Sequence, residues 1–307
     1  MSRLRIAVLG GTGFVGHSLC ERLVKAGHVV RVLTRHAERH RDLLVLPTVQ
    51  VVDADVYNPA VLKHEFQGLD AVVNLVGILN ESGRDGKGFE RAHAELPAQV
   101  VQACRQSGVT RLLHMSALHA SPDGPSHYLR SKGRGELIVH EAGSAALHVT
   151  SFRPSVIFGP RDSFTNRFAD LLRQVPFAFP LACANARLQP VYVEDVAQAF
   201  VVALDAHATF GMRYNLCGPQ VYSLREIVAY LARQLGLKRL ILPLNDTLSY
   251  VQAAALQFAP GKPFTPDNYR SLQIASVCDA PFPAIFGVTP GRFEEIVPTY
   301  LSPRMPA

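Results

Sequence analysis

Several features that mark other classes of protein are scarce in this sequence. Charged residues make up only 18% of its 307 residues, too few for a disordered or coiled-coil chain. No apolar run approaches the ~18 residues that a membrane span requires. Two glycines and a threonine interrupt the apolar N-terminal run MSRLRIAVLGGTGFVG, so it makes a poor signal peptide. We therefore predict an intracellular, cytoplasmic protein, with peripheral contact to the inner face of a membrane as an alternative.

Cysteine is also sparse, and the spacing of the cysteines excludes further classes. None of them forms a Cys-x-x-Cys pair; they are Cys20, Cys104, Cys183, Cys217 and Cys278. We expect reduced thiols and neither a disulfide framework nor a zinc site. His36 and His40 share one helical face but have no third ligand nearby, so we expect no metal.

The net charge of +6 favours anionic ligands. The basic residues are scattered, and no nucleic-acid motif or long basic run is present. We therefore exclude nucleic acid as a partner.

Short apolar runs alternate with amphipathic segments of helix length through the first half of the chain. The runs predict strands over 4–9, 29–33, 49–52, 71–76, 111–115 and 147–152. The segments between them predict helices over 14–26, 59–66, 89–107 and 128–141. This alternation predicts an α/β fold with a doubly wound parallel (Rossmann) sheet.

The alternation of predicted strands and helices ends after Pro154. Prolines at 160, 176, 180 and 190 predict a long irregular stretch, and 191–204 then predicts one strand–helix unit. We expect a dinucleotide-binding domain over 1–155, with 188–218 returning to it. A smaller C-terminal α/β substrate-binding region would comprise 156–187 and 219–307. We interpret the apolar stretches 177–181 and 251–258 as core, with a greasy pocket or a membrane-facing surface as alternatives.

A glycine-rich loop follows the first predicted strand directly. It consists of Gly10, Gly11, Thr12, Gly13, Phe14, Val15 and Gly16. Glycines at this spacing allow a tight turn, close approach to a pyrophosphate and close helix–strand packing, while the helix N-terminus attracts phosphate. The position at the first strand–helix junction predicts dinucleotide binding.

The second predicted strand indicates which nucleotide binds. An acidic residue at its end would favour NAD, but the strand ends in Thr34-Arg35. Arg35 is placed to hold a 2′-phosphate, so we predict NADP(H) over NAD(H). Asp55 is a candidate partner of the adenine amino group, with Val56 packing on the ring. The segment that follows the fourth strand should pass the cofactor through Asn74, Val76 and Gly77.

The pair Tyr128 and Lys132 predicts acid–base chemistry. A spacing of i, i+4 places both side chains on one helical face, where lysine can lower the pKa of the phenol and tyrosine can transfer the substrate proton. Ser116, at the end of the preceding strand, is the candidate that hydrogen-bonds the substrate. The alternative is an exposed tyrosine on a basic helix.

Together with these motifs, RPSVIFGP (153–160) and VYVEDVA (191–197) resemble extended short-chain dehydrogenase/reductases, the NAD-dependent epimerase/dehydratase family. VVNLVGIL (72–79), HMSALHA (114–120) and YLRSKGRGE (128–136) are similar to the branch containing the complex I 39 kDa accessory subunit. The resemblance implies cofactor contacts from Arg153, Pro154 and Val156, and a connection to quinones or a respiratory complex.

Two positions depart from the family pattern. Leu118 stands where a substrate-bonding serine or threonine is usual, and His93 stands where an asparagine is frequent; His93 is either a supporting polar residue or a packed helix residue. We therefore keep two functions. One is an oxidoreductase or epimerase acting on a small carbonyl or hydroxyl substrate, a quinone or other apolar carbonyl compound among the candidates. The other is a catalytically weak NADPH-binding accessory protein linked to complex I or ubiquinone metabolism.

Overall fold

The computed structural model describes residues 3–301, which form two compact units. The first unit contains the chain up to Arg153, then Glu194–Asn215 and Pro283–Val288. The second unit contains Pro154–Val193, Leu216–Phe282 and the chain from Thr289 onward. The substrate-binding role predicted for the C-terminal region stays a prediction.

The strands are short and mostly buried. They are β1 (Arg5–Leu9), β2 (Val29–Thr34), β3 (Val49–Asp53), β4 (Ala71–Asn74), β5 (Arg111–Met115), β6 (His148–Pro154), β7 (Ile157–Phe158), β8 (Ala178–Leu181), β9 (Arg187–Leu188), β10 (Val191–Tyr192), β11 (Arg213–Leu216), β12 (Tyr222–Ser223) and β13 (Leu240–Pro243).

The helices follow most of the predicted segments. They are α1 (Phe14–Lys25), α2 (Pro59–Glu65), α3 (Lys87–Glu90), α4 (Leu96–Ser107), α5 (His127–Glu141), α6 (Thr165–Gln174), α7 (Val193–Asp205), α8 (Leu224–Gln234), α9 (Asp246–Leu256), α10 (Pro266–Ser271) and α11 (Phe293–Ile296). A π-helical turn, Arg91–Glu95, joins α3 to α4 without a break, so the helix predicted over 89–107 is present and contains this turn. Within residues 3–301, no helix is both long and apolar enough to cross a membrane.

The central sheet has seven strands in the order β11-β6-β5-β4-β1-β2-β3. The five neighbouring pairs from β6 to β3 are parallel. Strands β4 and β5 are buried along their whole length, as expected for a sheet covered on both faces. From β1 the chain builds the sheet in one direction through β2 and β3, and from β4 it builds the sheet in the opposite direction. Ligands of such sheets bind beyond the carboxyl ends of the two strands at this switch point. The prediction of a doubly wound α/β fold is confirmed.

The second unit contains a helix that the sequence analysis missed. The stretch predicted to be irregular holds α6, with Pro160 before the helix and Pro176 after it. Ala169 and Leu172 of α6 pack in a core cluster together with Ile227 and Leu231 of α8. The prolines mark the ends of the helix rather than interrupting it, which is where proline is tolerated.

The expectation of five reduced cysteines is wrong, because Cys217 and Cys278 form a disulfide across 61 residues of sequence. Gln189 connects the two cysteine segments: its side chain donates to the Gly218 carbonyl at 2.7 Å and accepts from the Cys278 N–H at 3.0 Å. Sequence spacing cannot reveal a proximity that this long-range contact creates. The other three cysteines are free thiols.

The two apolar stretches interpreted as core are only partly buried. Phe179 and Leu181 face the core of the second unit, but Phe177 is 82% exposed. In the other stretch Ala253 is buried, whereas Val251 and Phe258 are 56% and 67% exposed. The core interpretation is therefore wrong at Phe177, Val251 and Phe258.

Candidate functional site

The glycine loop forms the closely packed turn that the sequence predicts. Gly10 has a φ of +78° and accepts a hydrogen bond from the Gly13 N–H at 3.0 Å. A Cβ on Gly16 would lie 2.3 Å from the Gly10 carbonyl oxygen, and one on Gly11 would lie 2.8 Å from a methyl of Val32. Thr12, Phe14 and Val15 are half-buried around the start of α1. Backbone packed this tightly leaves the N-terminus of α1 accessible to a pyrophosphate, so the loop fits a dinucleotide.

The segment after β4 lies beside this loop. Strand β4 ends at Asn74, two residues earlier than predicted, and the buried Asn74 side chain accepts the Val76 N–H at 3.1 Å. A Cβ on Gly10 would lie 3.1 Å from the Leu75 carbonyl carbon. The backbone of 74–77 therefore forms one wall of the cleft beyond the carboxyl ends of β1 and β4.

A cavity of about 620 Å³ lies at the ends of β2 and β3. Its lining residues are Arg35, Asp53, Ala54, Asp55, Tyr57 and Arg91. The guanidinium carbon of Arg91 lies 4.4 Å from the centre of the Tyr57 ring. The cavity thus offers two arginines and an aromatic face, the groups that hold a phosphate and an adenine.

Sequence reasoning found Arg35 and Asp55 in this cavity but missed Tyr57, Arg91 and Asp53. Tyr57 follows Asp55 by two residues, and its N–H donates to the Asp55 carboxylate at 3.0 Å. Val56 packs in the core cluster of the sheet instead. Arg91 is brought here by a distant helical segment and carries no local signal.

Tyr128 and Lys132 both lie on α5. Lys132 is buried, and its Nζ donates to the Met115 carbonyl at the end of β5 at 3.0 Å. A Cβ on Gly77 would lie 3.0 Å from the same Nζ, so the ammonium group lies directly against the segment after β4. Burial lowers the pKa of Lys132 to about 8 and raises the pKa of Tyr128 to about 12. The expectation that lysine lowers the pKa of the phenol is therefore wrong here, because burial determines its direction.

His93 lies in the π-helical turn and links this segment to α5. Its Nε2 accepts the Ile78 N–H at 3.0 Å, and its Nδ1 lies 2.9 Å from the Ser131 hydroxyl. That hydroxyl donates to the Tyr128 carbonyl at 3.0 Å. Because the single hydroxyl proton of Ser131 is used there, the bond between His93 and Ser131 requires a proton on Nδ1.

His93 is therefore a neutral polar connector, which sequence reasoning left undecided. Burial, with the nearby charges of Lys132 and His114, lowers its pKa to about 2. Its ring also packs edge-on against the Tyr128 ring at a centroid distance of 5.5 Å. These contacts fix the start of α5 relative to the backbone at Ile78.

Ser116 and Arg153 are found beside the buried carboxylate of Glu136. Arg153 donates to Glu136 through Nε at 2.8 Å, and Arg213 donates to it at 2.8 Å. Burial alone would raise the pKa of Glu136, but the hydrogen bonds and charges of these neighbours, with Ser116 beside it, lower that pKa. The Arg153 guanidinium is thus engaged in an ion pair. The predicted roles of Ser116 in catalysis and of Arg153 in cofactor binding stay predictions.

Pro154 and Val156 complete the predicted set, and Leu118 is the position that departs from the family pattern. Pro154 and Val156 belong to the second unit, and their contacts with a cofactor stay predictions. Leu118 is buried in the turn after β5, so an apolar side chain occupies the position discussed above.

The chain is similar to known proteins in sequence and in fold. The sequence model of the NAD dependent epimerase/dehydratase family matches residues 6–217. A mitochondrial NADH dehydrogenase [ubiquinone] 1 alpha subcomplex subunit 9 of Dictyostelium discoideum is 30% identical over 225 residues, 72% of this chain and 61% of the relative. The chain therefore spans less than two thirds of that relative's length.

Two bacterial relatives are reductases by name. The ceramide reductase of Caulobacter vibrioides is 29% identical over 78% of this chain and 74% of its own length. The 2-alkyl-3-oxoalkanoate reductase of Stenotrophomonas maltophilia is 27% identical over 77% of both chains. A nucleoside-diphosphate-sugar epimerase from Staphylococcus aureus superimposes with a TM-score of 0.75 at 18% identity, covering 96% of this chain and 100% of that one; this likeness concerns the fold.

Proposed function

The chain belongs to the NAD dependent epimerase/dehydratase family, and from that premise we propose an oxidoreductase that binds NADP(H) and reduces a carbonyl group with Tyr128 as proton donor. The observation that carries the proposal is the position of Tyr128 and Lys132 on α5, with the lysine against Gly77 and Met115. The nicotinamide, when bound, supplies the hydride.

The two pKa values favour reduction over oxidation at neutral pH. With a pKa of about 12, the Tyr128 phenol keeps its proton and can donate it to a carbonyl oxygen as that oxygen gains charge. With a pKa of about 8, Lys132 is mostly cationic at neutral pH and stabilises the phenolate that remains. Lys132 thus supports the proton transfer that Tyr128 performs.

We propose an apolar carbonyl compound as substrate, quinones included. The two bacterial relatives are named as reductases of ceramide and of a 2-alkyl-3-oxoalkanoate, and both names describe molecules with alkyl chains. The buried Leu118 suits such a substrate better than a sugar, because leucine offers no hydrogen bond.

The NADP(H) preference rests on the two arginines of the cavity that Asp55 and Tyr57 also line. Arg35 and Arg91 would share the 2′-phosphate, while the neighbouring Asp53 would disfavour it; its carboxylate already accepts the Ala37 N–H at 2.9 Å. Charge-assisted bonds of this kind contribute about 1.5–3 kcal/mol each.

Thermal unfolding with NADPH and NADH tests this preference. NADPH should raise the melting temperature more than NADH. Arg35→Ala and Arg91→Ala should each weaken NADPH binding by about ten- to a hundredfold and leave NADH binding nearly unchanged. Arg173→Ala, which removes a surface arginine of the second unit paired with Asp170, is the control. Equal shifts with both nucleotides in the unmodified protein would rule the preference out.

A second candidate function is favoured by the similarity to respiratory-complex subunits. In this alternative NADPH stabilises the fold and an interface without turnover. It predicts the same NADPH-dependent rise in melting temperature but no consumption of NADPH with any apolar ketone or quinone. Measuring both on one preparation separates the two functions.

A further inference from the structure

The two-stranded sheet of β8 and β13 in the second unit has one face made only of apolar side chains. Its register pairs Ala178 with Leu240 and Pro180 with Leu242. The alternate residues Phe179 and Ile241 are buried in the core, so these four side chains lie on the outer face. Leu240 is 63% exposed there, and Leu242 is also exposed.

Helix α9 extends this apolar surface. It begins three residues after β13, and Gln252 donates to the Pro180 carbonyl at 3.3 Å, which places the helix beside the sheet. Ser249 and Ala253 form its buried side. Leu248 and Val251, three residues apart, are exposed on another side, as is Phe258 just beyond the helix. With Leu240 and Leu242, these residues form what we call the apolar face.

The exposure of so many apolar side chains on adjoining elements indicates that the apolar face binds something. Single exposed apolar residues are ordinary on protein surfaces, whereas a group contributed by adjoining elements marks an interaction site. Most surface helices carry charged residues on their outer side. The sequence of α9, DTLSYVQAAAL, has a single charged residue, Asp246, at its first position.

The charges around the apolar face indicate what covers it. Residues 238–262 include three basic residues, Lys238, Arg239 and Lys262, against the single acidic residue Asp246, which leaves a net charge of +2. Lys238 alternates with Leu240 and Leu242 of β13, so one basic side chain adjoins the apolar side chains at the start of the strand. The Arg239 guanidinium lies on the other side, where it donates to the Leu172 carbonyl of α6 at 3.0 Å.

We propose that the apolar face docks on an anionic lipid bilayer. The apolar side chains would enter the boundary between headgroups and acyl chains, and Lys238 and Lys262 would lie at the level of the lipid phosphates. Neither contribution alone gives stable attachment, so binding requires both the apolar face and anionic lipid.

The sequence contains no tryptophan, so a single introduced tryptophan reports on its own surroundings without background. Phe258→Trp places the reporter on the apolar face, and Met212→Trp places it at an exposed apolar position of the first unit. Vesicles of phosphatidylcholine alone and of phosphatidylcholine with phosphatidylglycerol are the two probes. We expect a blue shift of the emission at position 258 with the anionic vesicles only, and none at position 212.

Cosedimentation with the same vesicles tests the contacts. Leu248→Ser with Val251→Ser should reduce binding of the otherwise unmodified protein by roughly tenfold or more, and high salt should also weaken it. The double variant Leu137→Ser with Met212→Ser, which removes exposed apolar side chains elsewhere, should bind normally. Melting temperatures of both double variants check that they fold.

Three results would overturn the proposal. One is an unchanged emission at position 258 when anionic vesicles are added. Another is an equal shift at positions 212 and 258, which would indicate non-specific adsorption. The third is a shift at position 258 that grows with protein concentration in the absence of lipid, which would assign the apolar face to a second copy of the chain.

Discussion

Lys132 changes its charge within the pH range in which enzymes are normally assayed. Burial against Met115 and Gly77 lowers its pKa to about 8, so it is cationic below that pH and neutral above it. A cationic lysine stabilises the phenolate left when Tyr128 donates its proton. The rate of carbonyl reduction should therefore fall above pH 8, by up to about tenfold per pH unit.

The pH dependence of kcat/KM checks this prediction. Lys132→Arg keeps the positive charge at high pH, so its profile should lack the fall above pH 8 although its absolute rate is lower. A profile of Lys132→Arg with the same fall as the unmodified protein would assign that titration to another group.

His93 has a different role, since it stays neutral. Removing its side chain leaves the Ile78 N–H without its acceptor and removes the donor to the Ser131 hydroxyl oxygen, which keeps its own bond to the Tyr128 carbonyl. An unsatisfied buried group costs about 1–3 kcal/mol. His93→Ala should lower the free energy of unfolding by that amount or more and slow turnover by displacing α5. His93→Gln, whose amide can replace the acceptor for Ile78, should recover part of both.

Urea unfolding and kcat measure these effects. The pKa of His93 is about 2, so the pH profiles of kcat for the unmodified protein and for His93→Gln should have the same shape near pH 6.5. We do not expect an inflection there that is present in the unmodified protein and absent from His93→Gln. Such an inflection would mean that His93 titrates during turnover and is not merely a positioning residue.

The site candidates that the sequence can identify are those whose proposed role depends on local spacing. Tyr128 and Lys132 are four residues apart on one helix, and the glycines of residues 10–16 belong to one turn. Arg91 and Tyr57 lie 34 residues apart in sequence and meet only because the π-helical turn lies beside the end of β3. Contacts of this second kind depend on tertiary packing and leave no local pattern.

Among the elements, the turn from β1 to α1 packs so closely that it depends on glycines, which have no side chain. A Cβ at Gly16 would lie 2.3 Å from the Gly10 carbonyl oxygen, whereas one at Gly13 would lie 3.2 Å from the same atom. Gly16→Ala should therefore destabilise the fold by about 1–3 kcal/mol, the usual cost of overpacking, and weaken NADPH binding.

Gly13→Ala is the matched substitution and should cost clearly less stability, as measured by thermal unfolding without nucleotide. Equal destabilisation by the two substitutions would show that the close approach at Gly16 does not control this turn.

The elements of the first unit could be predicted because its strands and helices alternate regularly. The second unit departs from this alternation. Its helix α6 lies between Pro160 and Pro176, and frequent prolines suggest loop although they stand outside the helix. Its two-stranded sheets pair segments distant in sequence, such as β8 with β13, so their register depends on the finished fold.

At the scale of the whole molecule, the disulfide is the clearest departure from sequence reasoning. The bond between Cys217 and Cys278 closes a loop of 61 residues within the second unit. In the chain-entropy account a loop of this length stabilises the fold by about 4 kcal/mol. Reductant should lower the melting temperature of the unmodified protein, and Cys217→Ser should melt at that lower temperature with or without reductant.

A thiol assay in denaturant without reductant provides a direct count. It should titrate three of the five cysteines, since Cys20, Cys104 and Cys183 are free, and Cys183→Ser should lower the count by one while keeping the response to reductant. Five reactive thiols would contradict the disulfide.

The central claim is that Tyr128 transfers a proton during an NADPH-dependent reduction. The most direct test is single-turnover oxidation of bound NADPH by a long-chain ketone, followed by absorbance, in the unmodified protein and in Tyr128→Phe. We predict a rate lower by about 10²–10⁴-fold in Tyr128→Phe, with an unchanged NADPH-induced rise in melting temperature. Tyr214→Phe, which removes a phenol hydroxyl elsewhere in the first unit, should react at the normal rate. Equal rates in the unmodified protein and in Tyr128→Phe would contradict the account.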